Sequence, residues 1–254
     1  QSRCWEEIIE RAAQIDQFVA VSEYYADKMR RQLQLDRDRV KVVYNGLSLQ
    51  GYQPADTPPP TPTIGYLSRM YPKKGLDVLA EAFVIIKKNQ RLRHARLRIA
   101  GGQMVTDEAF VKDIKRRLTE AAVIDDVEFL PSFERRQRQE FLRTLSVLSV
   151  PARRDEAFGM YAWEALACGV PVVQPSRGVF PELLELTEGG ILLPEPIDPA
   201  HLATALESLL LDGDRARQLG LKGSKAVFEK LNIDNTVQKL AQIYQKTIAN
   251  FSGD

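Results

Sequence analysis

Residues 147–173 read VLSVPARRDEAFGMYAWEALACGVPVV. The stretch opens on the strand-like run Val147 to Val150 and closes on Val172 and Val173. Between them lie a charged loop and a segment that reads as a helix from Gly159. Two strands joined through a helix cannot form a hairpin; they pair in parallel, and a parallel sheet is covered on both faces. The same alternation extends outward on either side. Apolar runs recur at Ile64 to Leu67, Leu97 to Ala100, Val127 to Leu130 and Ile191 to Leu193, with helical segments between them. Residues 63 to about 230 are therefore expected to form an α/β fold, a doubly wound, Rossmann-like parallel sheet. Ligands of such sheets sit at the carboxyl ends of strands, which directs attention to the loops after Leu67, Ala100, Leu130 and Val150.

Upstream, the spacing of Trp5, Ile8, Ile9, Ala12 and Ile15 predicts a helix. Phe18 to Val21 predicts a short strand, Ser22 a cap for a helix over Glu23 to Leu33, and Val40 to Tyr44 a second strand ending at the Asn45-Gly46 turn. Five of the nine residues from Pro54 to Pro62 are proline, which favours an extended, semi-rigid connector. The expected division is 1–50, a proline-rich linker over 51–62, a sheet domain over 63–230, and a C-terminal helix over 231–254. That helix carries Val237, Leu240, Ile243 and Tyr244 on one side and is expected to pack toward the N-terminal segment.

The chain of 254 residues has 35 Lys plus Arg against 34 Asp plus Glu, a net charge of +1. Such balance offers no bulk attraction to nucleic acid, so no nucleic-acid partner is expected and any anion site must be local. Cys4 and Cys168 form no CxxC, and His94 and His201 form no spaced ligand pair, so neither a disulfide framework nor a metal site is expected. No apolar run approaches the roughly 20 residues of a membrane helix. The chain begins with Gln1 and shows no leader, which reads as a piece of a longer protein of cytoplasmic location.

The chemistry concentrates at Glu156 and Glu164. If a helix begins near Gly159, its unpaired N–H groups and positive end make a phosphate site just after Phe158. Glu156 lies in the loop before that site; Glu164 lies about five residues into the helix, roughly 7.5 Å along its axis. The two carboxylates would flank a diphosphate as the ribose and sugar hydroxyls of a nucleoside diphosphate sugar require. Taken singly, each has a plain structural reading: a loop charge beside a helix dipole, and a solvated helix residue. Glu164, however, sits within Ala162-Trp163-Glu164-Ala165-Leu166-Ala167, where an unpaired carboxylate is costly. Burial without a ligand would then be hard to explain.

The spacing Glu156-AFGMYAW-Glu164, followed by Ala-Leu-Ala-Cys-Gly-Val-Pro-Val-Val, resembles the retaining glycosyltransferases of family four, and the likeness runs from about Phe18 to the C-terminus. The resemblance implies the two-domain GT-B fold, with this chain carrying mainly its C-terminal donor-binding domain and residues 1–50 a remnant of the N-terminal, acceptor-binding one. It assigns Glu164 to the ribose and Glu156 to the transferred sugar. Arg69-Met-Tyr-Pro-Lys73-Lys74-Gly75 resembles the family's arginine and lysine five apart, so that Arg69 and Lys74 would grip the diphosphate. Phe158, Gly159 and Met160 would present the helix terminus to it. Gly101-Gly102 allows close backbone approach to a ligand, and base recognition is expected around Gly102 and the loop from Pro131 to Glu134. Gly178 with Pro181-Glu182 resembles the family's glycine-rich loop near the donor sugar. There Arg177 replaces the first glycine, while Ser68 and Ala157 replace two others.

The expected function is transfer of a hexose from a UDP- or GDP-linked donor to an unidentified acceptor, with retention and without metal or other cofactor. Two alternatives are a non-catalytic nucleotide-sugar-binding module and a nucleotide-sugar epimerase of the same architecture. The arginines at 91, 93, 96 and 98 and at 135, 136 and 138 read as solvated faces. Because basic surface helps family members dock on membranes, the resemblance extends to a weak membrane-surface association of the full-length protein.

Overall fold

A computed structural model describes residues 2–130 and 134–251; the expected base-recognition loop at Pro131 to Phe133 lies outside the described residues. The chain divides into two compact units, 1–49 with 229–254, and 50–228.

In the first unit, α1 (Ser2–Arg11) continues as a tighter turn to Gln14, and β1 (Phe18–Ala20) precedes α2 (Glu23–Leu33) and β2 (Val40–Val42). The Ser22 hydroxyl caps α2 by accepting from the Tyr25 N–H at 3.2 Å, as the sequence predicts. β1 and β2 pair in parallel, Phe18 opposite Val40 and Ala20 opposite Val42. A small core of Ala12, Phe18, Ala20, Ala26, Leu33 and Val40 joins strands and helices.

The larger unit carries β3 (Thr63–Leu67), α3 (Leu76–Ile86), β4 (Arg96–Ala100), α4 (Glu108–Glu120), β5 (Val127–Leu130), α5 (Arg135–Arg143), β6 (Val147–Ser149), α6 (Met160–Ala167), β7 (Val172–Pro175), α7 (Phe180–Thr187), β8 (Gly190–Leu193), α8 (Pro199–Leu210) and α9 (Gly213–Lys230). Its six strands lie in the order β5-β4-β3-β6-β7-β8, and every pairing is parallel. Central strands β3, β6 and β7 are buried along their whole length, which is why they read as near-continuous apolar runs. The expected doubly wound α/β sheet flanked by helices is therefore present. From β3 the chain winds outward to β4 and β5, then returns to β6 and winds the other way. The switch point lies between β3 and β6, where a crevice opens at the carboxyl ends of the strands.

Residues 51–62 lie against this unit. A Cβ on Gly169 would stand 2.7 Å from the Pro54 ring, Arg217 donates to the Asp56 carbonyl at 3.2 Å, and the Arg96 N–H donates to the Pro62 carbonyl at 2.9 Å. The last element, α10 (Ile233–Phe251), belongs to the first unit. There the Leu47 N–H donates to the Leu231 carbonyl at 2.8 Å, and the Thr236 hydroxyl donates to the Tyr44 carbonyl at 2.8 Å.

At the switch point two loops meet backbone to backbone. Gly75 has φ +71°, and a Cβ there would stand 2.0 Å from the Pro151 carbonyl oxygen. Left-handed backbone is unfavourable for any residue with a Cβ, by about 1–2 kcal/mol, and the clash adds to it. Gly75→Ala is expected to lower the melting temperature by at least about 2–4 °C. Gly102→Ala, at a position with nothing within 4 Å and no left-handed φ, should leave it unchanged. Equal melting temperatures for the two variants would show that the loops do not meet as described.

Candidate functional site

The site grows from the loops that follow β3 and β6. After β3 the Ser68 N–H donates to the Ala100 carbonyl at 3.1 Å and the Met70 N–H to the Gly102 carbonyl at 3.0 Å, which fastens this loop to the one after β4. The close approach requires Gly101, whose Cβ would stand 1.9 Å from the Ser68 oxygen. Arg69 is held three ways. Its Nε and Nη2 donate to Asp107 at 2.8 and 3.1 Å, its guanidinium lies 4.7 Å over the Tyr71 ring, and its carbonyl accepts from the Tyr66 hydroxyl at 2.9 Å. Asp107 also accepts from the Met104 N–H at 2.9 Å. The Arg69 hydrogen bonds first, and that N–H second, hold its carboxyl below the ordinary range.

Lys74, in the tight turn before Gly75, pairs with Glu156 from the loop after β6, and its ammonium lies 5.5 Å from the Tyr161 ring centroid. The two loops are sewn together beside this pair. Arg153 donates through its N–H to the Lys73 carbonyl at 2.9 Å, through Nη1 to the Pro72 carbonyl at 2.7 Å, and bidentately to Asp77 at 2.7 and 2.6 Å. Glu156 is fixed from behind as well. The Val179 N–H donates to its carbonyl at 2.9 Å, and Gly178 presses on its backbone, where a Cβ would stand 2.6 Å from both its N and its O. Arg177 turns aside to Glu195 at 2.6 Å.

The helix α6 begins where the sequence predicts. Gly159 precedes it with φ 69° and ψ 50°, and Met160 is 38% exposed. Phe158 stacks on Trp163 with ring centroids 4.1 Å apart, and the indole N–H donates to the Phe158 carbonyl at 2.8 Å. This locks the turn that joins the Glu156 loop to α6, whose first N–H groups, at Met160 and Tyr161, have no intrahelical acceptors.

Glu164 requires a correction. It is 5% exposed, as its apolar surroundings imply, but it is not unpaired. Its Oε1 accepts from the Tyr52 hydroxyl at 2.9 Å and from Arg138 Nη1 at 2.8 Å, so its burial does not demand a ligand. Arg138 is likewise not part of a solvated face. On α5, Arg135 and Arg138 stand three apart on one side of the helix; Arg135 donates to the Gln50 carbonyl at 3.2 Å, while Arg136 points away and bonds Glu140 at 3.1 Å.

The structure thus brings Lys74, Glu156, Gly178 and the start of α6 together, and ties the part of the β3 loop that carries Arg69 to Gly101 and Gly102 after β4. Gly101 and Gly102 line a cleft of about 320 Å³ with Met70, Phe129 and Leu130. Tyr52, Asp107 and Arg153 have no sign in the sequence, and Arg138 reads there as solvated, since each meets its partner across a separation that carries no periodic signal. Among the described residues no three His, Cys, Asp or Glu side chains group as a metal site. Cys168 is buried, and burial pushes its thiol up to about 12, so it packs as a small apolar group. Among the described residues no helix is long and apolar enough to cross a membrane.

The Arg69–Asp107 pair has a pH signature. Because the folded protein depresses the Asp107 carboxyl, the pair stabilises at pH values above the unfolded carboxyl's pKa, about 3.9, and that contribution is lost as pH falls through the folded value. Asp107→Asn should therefore flatten the acid limb of melting temperature against pH below about 4. An acid limb identical to the parent's would exclude the pair as a source of stability.

A family model described as glycosyl transferases group 1 matches residues 53–226. Among curated proteins, a D-inositol 3-phosphate glycosyltransferase of Streptomyces bingchenggensis is 28% identical over 248 residues, covering 93% of this chain and 54% of that protein. One from Acidothermus cellulolyticus is 29% identical over 223 residues, covering 84% and 49%. The chain thus spans about half the length of these relatives. Among solved structures, sucrose-phosphate synthase from Thermosynechococcus elongatus superposes with a TM-score of 0.79 at 25% identity, covering 91% of this chain and 58% of that one. Anabaena HepE, solved with UDP and glucose, superposes with a TM-score of 0.78 at 20% identity, covering 91% and 63%. The family match spans all six strands of the large sheet and the side chains of Arg69, Lys74, Glu156 and Glu164, and on it the chain belongs to the glycosyl transferases group 1 family.

Proposed function

We propose that this chain is the donor-binding part of a retaining glycosyltransferase, which takes a hexose from a UDP- or GDP-linked donor to an acceptor hydroxyl. The observation that carries the reading is the meeting of Lys74 and Glu156 at the switch point, beside the N-terminus of α6. A cation for phosphate and a carboxylate for sugar hydroxyls stand together where a doubly wound sheet receives its ligand. Family membership supports the reaction class, and the UDP-glucose complex of HepE supports the kind of donor.

In this reading Arg69 turns Nη1 to the phosphate, since Nε and one hydrogen of Nη2 serve Asp107. Lys74 and the first N–H groups of α6 supply the remaining positive potential, with no metal required. Glu156 accepts from sugar hydroxyls and Glu164 from the ribose. The bond from the anomeric carbon to the phosphate oxygen breaks, and its electron pair leaves with the nucleoside diphosphate. The acceptor oxygen bonds the same face of that carbon, and its proton passes to the departing phosphate. Stabilising the leaving charge in a preorganised site is the protein's main contribution.

Lys74 and Glu156 satisfy each other before ligand binds. An intact donor replaces both contacts, phosphate at Lys74 and hydroxyls at Glu156, whereas a free diphosphate leaves the carboxylate facing an anion. Glu156→Gln should accordingly tighten UDP or GDP a few-fold and abolish any preference for the sugar-bearing donor. Glu164→Gln should weaken both ligands alike, by about 1.5–3 kcal/mol. Calorimetry on the two variants with nucleotide and donor tests this; equal losses of free nucleotide in both would sink the assignment.

Thermal shift provides a coarser check, because a ligand that binds only the folded chain raises its melting temperature by mass action. UDP- or GDP-linked compounds should raise it in the presence of EDTA, and NAD should not. A shift with NAD alone, or one abolished by EDTA and restored by Mg²⁺, would remove the metal-free glycosyltransferase reading.

A further inference from the structure

Tyr52 reaches Glu164 from 112 positions away, and the route by which it gets there is built. The segment just before it is hooked to α5: the Gln50 carbonyl accepts from Gln139 Nε2 at 2.9 Å and from Arg135 Nη2 at 3.2 Å. Gly51 then turns with φ +81°, in a space where a Cβ would stand 2.5 Å from the Gln139 side-chain oxygen. The turn delivers the Tyr52 ring into a buried position with the Arg135 guanidinium 5.8 Å from its centroid. The phenol therefore arrives at Glu164 on the same helix-bound scaffold that carries Arg138.

Both donors fall on one oxygen. Tyr52 and Arg138 each bond Oε1 of Glu164; among the described residues Oε2 takes neither of these bonds. Burial, and after it the Glu164 carboxylate, raises the Tyr52 phenol well above its ordinary range, so it remains a donor at any working pH. Two fixed donors on Oε1 set the plane of the carboxylate, as outer partners orient the ligands of a metal site. A tie that served only to fasten residues 50–52 would not need its bonds on one oxygen of a group placed beside the switch-point helix.

We propose that Tyr52 and Arg138 are positioning residues that clamp Oε1 of Glu164 so that Oε2 is presented to the ribose hydroxyls of the bound nucleotide. The inference rests on the donor-binding reading above, in which Glu164 serves the ribose. It makes the selection of a ribonucleotide depend on residues that do not touch it, one of them from the segment preceding the sheet.

The test is the affinity ratio between each of UDP and GDP and its 2′,3′-dideoxy form, measured by calorimetry on the 254-residue chain. A mere loss of stability lowers both affinities and leaves the ratio in place. The parent should favour the ribonucleotide by about tenfold or more, as hydrogen bonds to a charged acceptor require. Glu164→Gln should bring the ratio close to one, and Tyr52→Phe and Arg138→Gln should each lower it several-fold. If Tyr52→Phe fails to fold, Arg138→Gln and Arg138→Lys decide, the lysine restoring part of the ratio. A collapsed ratio in Glu164→Gln with parental ratios in the Tyr52 and Arg138 variants would overturn the clamp and leave Glu164 on the ribose. A parental ratio in Glu164→Gln, or no binding of either nucleotide, would overturn the donor-binding reading and the clamp with it.

Discussion

No side chain fits between Gly75 and the carbonyl of Pro151, and the rest of the site depends on that contact. β3 and β6 are neighbours in the sheet, yet the chain leaves their carboxyl ends toward opposite halves of it. The two departing loops would diverge if nothing held them. The glycine lets them touch, Arg153 sews one to the other through Lys73, Pro72 and Asp77, and only then can Lys74 and Glu156 meet. An ion pair between partly exposed side chains is worth little by itself, so it does not hold the loops; the loops hold it.

The same economy of charge recurs across the site. Arg69 is matched by Asp107, Lys74 by Glu156 and Arg138 by Glu164. A net charge of +1 for the chain conceals these three cations, each with its own carboxylate. Pairing makes such a cluster tolerable before ligand arrives, since unpaired charges near a low-dielectric wall repel or titrate away. It also fixes geometry: an arginine bonded through Nε and Nη2 keeps both hydrogens of Nη1, and the second of Nη2, for other acceptors. The pairs differ in what they leave over, for Asp107 is consumed by Arg69 and Met104, whereas Glu164 keeps an oxygen.

Much of the large sheet is legible because its central strands are buried on both faces. Ile64 to Leu67 and Val147 to Val150 read as strands for that reason, and the start of α6 at Met160 is legible because Phe158-Gly159 is a local stop. The residues that complete the site are not. Asp107 lies 38 positions from Arg69, and Tyr52 lies 112 from Glu164; contacts at those separations leave no trace in a period of 2 or 3.6. Of the α5 arginines, Arg135 and Arg136 are exposed as their charge suggests, but helical spacing carries Arg138 to the side where a buried carboxylate awaits it. The proline segment read as a connector because prolines lack donors, yet its carbonyls still accept and its rings still pack.

Glu164 makes the general point about buried charge in this fold. An isolated carboxylate among Ala162, Trp163 and Leu166 would be a strong sign of an absent partner, and the sequence alone could not distinguish absence from distance. The structure supplies the partners and so removes that argument for a ligand. It replaces it with a narrower one, based on which oxygen is used. A carboxylate satisfied symmetrically would be an end in itself. Here two donors converge on Oε1, and the side chain sits about one turn into α6. Burial says only that the charge must be compensated; the asymmetry of the compensation says where the remaining acceptor points its capacity, and that direction is a property of Tyr52 and Arg138 as much as of Glu164.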